Sequence, residues 1–127
     1  MATWQQVHEI AQDLPEIEVR GNEWRVGNKL VAWERPLRKS DHDALGSETP
    51  EGDILAVWLP DLDTKEALLA DDPDTYFTTP HFEGYRAILI RLEEIAVDEL
   101  EELMIEAWVD RAPKRLSRPF LETRDLG

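Results

Sequence analysis

The chain contains no cysteine, which excludes a disulfide framework, a thiolate metal site and a cysteine nucleophile. No apolar run approaches the ~18 residues that a bilayer span needs. The first residues, Met1-Ala2-Thr3-Trp4-Gln5-Gln6, lack the basic start and apolar stretch of a signal peptide. Positive charge is scarce: 14 Lys and Arg stand against 28 Asp and Glu, a net charge of −14 over 127 residues. A field of that sign repels nucleic acid and anionic membranes at long range. Screening confines the repulsion to about 8 Å at physiological salt, so a local basic patch can still act. Catalytic signatures are missing too. There is no Gly-x-Ser-x-Gly elbow, no phosphate-binding glycine loop and no His-Glu-x-x-His. These absences predict a soluble, cytoplasmic protein with no catalytic residues, no cofactor and no membrane partner.

What is present is enough to fold. Apolar residues make up 42% of the chain and five of them are tryptophan, each offering a large area to bury. Thr3 and Gln6 have the spacing of a capping box, and Val7, Ile10, Ala11 and Leu14 then recur at helical intervals until Pro15. From Ile17 to Trp33 the period changes. Ile17 and Val19, Trp24 and Val26, Leu30 and Ala32 alternate with polar residues as half-buried strands do, and Gly21-Asn22 and Gly27-Asn28 supply the turns of two hairpins. The polar stretch Glu34 to Asp53, with Pro36, Gly46, Pro50 and Gly52, reads as a long loop. Ile54 to Leu59 is an unbroken apolar run of central-strand length. A short helix follows, its start marked by Asp63 and Glu66, and ends at Asp71-Asp72-Pro73. Tyr76 to Thr78 and Ala87 to Leu92 read as further strands. Asp98 and Glu101 open a long helix closed by Pro113, and a basic tail from Lys114 is expected to fray. Strands joined by short turns are antiparallel. The pattern predicts an α+β, two-layer sandwich: an antiparallel sheet with the N-terminal and C-terminal helices packed on one face. One domain spans residues 1–118, with 119–127 as a tail.

Three stretches carry a family likeness: Pro73-Asp74-Thr75-Tyr76-Phe77-Thr78-Thr79-Pro80-His81-Phe82-Glu83-Gly84-Tyr85, then Glu106-Ala107-Trp108 with Arg111 to Leu116, and Val26 to Trp33 with Arg35-Pro36. Together they resemble the MmcQ/YjbR-like family, over about Trp4 to Leu116. The resemblance implies a fold of the frataxin (CyaY) class with a double wing of two hairpins. It also implies a non-enzymatic protein that binds DNA.

The residues suggest where binding would occur. Arg35, Arg38 and Lys39 stand together, as do Lys114, Arg115 and Arg118. On one shared face they would contact several phosphates; apart, they are solvated charges beside abundant carboxylates. Trp24-Arg25 and Trp33-Glu34-Arg35 have the composition of a stacking platform for single strands, but strand alternation directs those rings to the core. A small-ligand pocket is the second candidate, built on His81 with Thr78, Thr79 and Arg91. A third reading is an acidic surface, Glu93 through Glu106, that recruits a basic protein. Asp41-His42-Asp43 has metal-binding residue types, but no second cluster completes a ligand set, and no metal is predicted.

Overall fold

The computed structural model of the chain describes residues 2–46 and 52–126, without the side chains of Ser40 and residues 124–126. Its first helix, α1 (Trp4–Gln12), starts at the capping box read from the sequence. Thr3 Oγ1 accepts from the Gln6 backbone N–H at 3.3 Å, and Gln6 Oε1 accepts from the Thr3 N–H at 3.0 Å. Val7, Ile10 and Ala11 form its buried stripe. Three strands follow: β1 (Glu18–Val19), β2 (Glu23–Val26) and β3 (Lys29–Glu34). The β2–β3 turn takes positive φ at Gly27 and Asn28, a conformation that Gly adopts freely and Asn tolerates. The first strand is shorter than its alternation suggested: β1 has two residues, and Val19 is 46% exposed rather than half-buried.

Next come α2 (Lys39–Leu45), β4 (Ile54–Trp58), α3 (Leu62–Asp71), β5 (Tyr76–Phe77), a 3₁₀ turn at Pro80–Phe82, β6 (Ala87–Arg91), α4 (Val97–Arg111) and α5 (Lys114–Leu126). The six strands form one sheet in the order β1-β2-β3-β4-β6-β5, with every neighbouring pair antiparallel. The predicted α+β class is therefore observed. The apolar run 54–58 takes the central position between β3 and β6.

Helices α1 and α4 cover one face of the sheet. The core there joins Val7, Ile10 and Ala11 to Trp24, Val26, Leu55, Val57, Ile88 and Ile90, and to Leu100, Met104 and Trp108. The buried Trp108 indole donates to the Pro15 carbonyl at 3.1 Å, which ties α4 to the end of α1. Trp24 is fully buried, stacked 6.3 Å from Trp4 and 5.0 Å from the His8 ring, so it is a core residue and not a platform.

Three local readings are corrected. The stretch 34–53 holds a helix, α2, where composition suggested only loop, while residues 47–51, including Pro50, lie outside the described residues. The α3 cap is Asp61, whose carboxylate accepts from the Thr64 N–H at 2.7 Å, two residues before the expected start. The segment after Lys114 is helical through Leu126 instead of fraying. Its Phe120 lies 4.9 Å from the Trp108 ring, so tertiary contact supplies what the polar sequence does not.

Replacing Trp24 with Ala empties a fully buried site and should cost about 3–5 kcal/mol. Val19→Ala on the exposed edge should stay within about 0.5 kcal/mol. Urea denaturation of the two variants, read as the shift in midpoint, checks the difference.

Candidate functional site

The second face of the sheet carries its own apolar cluster of Ile54, Ala56, Phe77, Phe82, Ala87 and Leu89, with Trp33, Leu37, Leu45 and Trp58 packed on it. Polar sequence has to cover this face, and a buried ion pair lets it do so. Arg35 is 7% exposed and Asp41 2%. The guanidinium donates to Asp41 Oδ2 at 3.2 Å and to the Pro36 carbonyl, and it stacks 5.3 Å from the Phe82 ring. Asp41 also accepts from the Arg38 backbone N–H at 2.8 Å. Burial pushes the Asp41 carboxyl up, but it is outweighed. The Arg38 N–H, the Arg35 guanidinium, the nearby Thr79 hydroxyl and His81 together hold it below the ordinary carboxylate value.

Beside this pair, α2, α3 and the 78–84 segment enclose a cleft of about 490 Å³. Among the described residues its walls are Ala44 and Leu45 from α2, then Leu62, Lys65, Glu66 and Leu69 from α3, with Thr78, Thr79, Pro80, Glu83 and Gly84 opposite. The α3 residues fall at i, i+3, i+4 and i+7, one face of a helix. Lys65 is 5% exposed. Its ammonium donates to the Phe82 carbonyl at 2.8 Å and the Tyr85 carbonyl at 2.7 Å, fastening α3 to the 80–85 loop. Burial lowers its pKa, and Glu83 partly opposes that shift. None of the ion pairs among the described residues includes Lys65. The buried Thr78 and Thr79 hydroxyls make no hydrogen bond of normal geometry, although Thr79 sits close enough to Asp41 to act on its charge.

The sequence-derived candidates are therefore divided. Thr78 and Thr79 line the cleft. His81 is exposed, edge-on to Phe82 at 4.8 Å and Tyr85 at 6.3 Å, and is not among the lining residues. Arg91 stacks 4.5 Å from the Phe77 ring and donates to the Pro73 and Asp74 carbonyls, fixing the turn before β5. Of the basic residues, Arg35 is buried in its pair with Asp41. Arg38 and Lys39 are exposed at the start of α2, whose Leu45 packs on the second cluster. Lys114, Arg115 and Arg118 are exposed on α5, whose Leu116 and Phe120 pack on the first. The sheet separates the two basic groups, and Arg115 pairs with Glu16 at 3.0 Å. Lys65 was not singled out by the sequence. The signal lay in its spacing, since a lysine stands between Leu62 and Leu69 on the face that reads as apolar. Among the described residues, no group of three or more His, Asp or Glu is placed to hold a metal ion. No helix there is long and apolar enough to cross a membrane.

Asp41→Asn leaves the Arg35 charge buried without its counter-ion and should destabilise the fold by about 3–5 kcal/mol. Because the folded pKa of Asp41 is depressed, its contribution is present above the unfolded carboxylate value and lost as pH falls through the folded one. Denaturation midpoints of wild type and variant across the acid range should therefore converge as pH falls. A constant gap down to the lowest pH would refute the assignment.

Comparison with known proteins gives the chain relatives by sequence. A family model described as YjbR matches residues 5–109. Two uncharacterised proteins, one from Mycobacterium tuberculosis and one from Mycobacterium bovis, are each 57% identical over 125 residues, covering 95% of this chain and 97% of the relative. No solved structure matches. With that match spanning all six strands and nearly all of α1 and α4, the chain belongs to the YjbR family.

Proposed function

We propose that this protein is a non-enzymatic, cytoplasmic binding protein that holds a small, partly apolar ligand in the cleft between α2, α3 and the 78–84 segment. The observation that carries this reading is the cleft itself. Its volume of about 490 Å³ lies within the ~300–1,000 Å³ typical of small-molecule sites, and apolar walls with a few polar groups are the usual composition of such sites. Leu45, Leu62, Leu69 and Pro80 supply the apolar area, while Thr78, Thr79 and Lys65 supply hydrogen-bonding atoms.

The DNA-binding role implied by the family likeness finds less support in the geometry. Arg35 is committed to Asp41, and the remaining cations divide between the two sides of the sheet. Neither group offers the ~6–10 phosphate contacts of a strong electrostatic footprint, and the net charge is −14. Labelled duplex DNA should accordingly show no change in anisotropy on titration at low salt.

A positive test uses a fragment library of amphipathic small molecules and thermal stabilisation as the readout. At least one fragment should raise the melting temperature. Ala44→Phe, which fills the cleft from an exposed position, should weaken that fragment at least tenfold while changing stability by about 0.5 kcal/mol or less. Stabilisation that persists in Ala44→Phe would place binding elsewhere.

A further inference from the structure

Lys65 is a buried cation that forms none of the ion pairs among the described residues. Moving an ammonium out of water is costly unless it is paired and hydrogen-bonded, and an ammonium has three donors. Two of these reach the Phe82 and Tyr85 carbonyls. Among the described residues the third has no acceptor, and none of the ion pairs includes this lysine. The Thr78 hydroxyl, in the same cleft wall, has no hydrogen-bond partner among the described residues, while the Thr79 hydroxyl acts on Asp41. Polar groups with unused capacity thus converge on one cleft whose remaining surface is largely aliphatic.

We propose that the cleft selects an amphipathic monoanion: a carboxylate held by the Lys65 ammonium, with an aliphatic body lying along Leu62 and Leu69. The inference rests on the small-ligand reading above and adds the charge and chemical class of the ligand. Two carboxylates decide between a monoanion and a more highly charged ligand. Glu66 and Glu83 also line the cleft, and Glu83 acts on Lys65 through its charge. A single negative charge at Lys65 gains a partner there, whereas a phosphate dianion adds a second charge that faces the glutamates without compensation. A bare inorganic anion would leave the aliphatic walls wet, so the body of the ligand contributes as much as its head.

The test is isothermal titration of the full chain with octanoate, octanamide and octyl phosphate. Octanoate should bind at least tenfold more tightly than octanamide, which has the same body without the charge, and more tightly than doubly charged octyl phosphate. Lys65→Met should bring octanoate and octanamide to equal affinity, and Lys65→Arg should restore part of the difference. Because Lys65 fastens the 80–85 loop, Thr78→Val serves as a second variant. It keeps the loop bonds and should lower octanoate affinity several-fold, with a smaller loss for octanamide, whose neutral carbonyl is the weaker acceptor. Equal binding of octanoate and octanamide to the wild type would overturn the charge selection yet leave the small-ligand reading standing. Tighter binding of octyl phosphate would overturn the preference for a single charge. Absence of binding by all three would overturn the amphipathic-monoanion assignment, while the fragment screen decides the small-ligand reading separately.

Discussion

The sheet of this protein is apolar on both faces, and its central strand sets the terms for everything packed around it. Four of the five residues of β4 are buried, with Leu55 and Val57 turned to the α1–α4 core and Ile54 and Ala56 to the opposite cluster. A strand of that kind is stable only when both sides are taken out of water. On one side the task falls to two helices with regular buried stripes. On the other it falls to a chain that is mostly polar, and polar backbone can cover an apolar face only where its own groups are satisfied. The Arg35–Asp41 pair and the Lys65 bonds to two carbonyls meet that requirement. Lys65 does so from the wall of the cleft, and the Arg35–Asp41 pair from beside it.

Cations recur across that face in a consistent manner. Arg35 lies over Phe82, Arg91 over Phe77 and Arg111 over Trp58. Each guanidinium covers a ring of the layer with a flat, weakly hydrated group, which suits arginine better than lysine. Three of the 14 basic residues of this acidic chain are thereby engaged in packing. Arg35 and Arg91, which look available in the sequence, are already occupied in the folded protein.

The parts of the fold legible in the sequence were those fixed by local pattern. The Thr3 capping box, the run 54–58 and the stripe of α4 were each readable, because side-chain spacing alone decides them. Helix α2 was not. Lys39-Ser40-Asp41-His42-Asp43 has no apolar stripe, and its helix depends on Leu45 reaching the second cluster and on Asp41 pairing with Arg35. Helix α5 was hidden similarly: Pro119 and a basic composition suggest a loose tail, but Phe120 docks on Trp108. At the candidate site Thr78 and Thr79 were found through their motif, whereas His81 and Arg91 are not among the residues that line the cleft. Lys65 was missed because a lone lysine in a short helix normally points to solvent, and only the packing of the 80–85 loop buries it.

Both borders of the sheet are stubs. The outer strands, β1 and β5, are two residues each, and β5 is further anchored by the Tyr76 hydroxyl donating to Glu99 at 2.8 Å. A strand from another molecule would find almost no open ladder of N–H and C=O groups to extend, which is how natural sheets avoid uncontrolled growth at their edges. The protein is therefore poorly suited to recognise partners by strand addition, the mode open to many small sheet domains. The surface left for contact is one of side chains and of clefts between elements, with little free backbone at the sheet's edges.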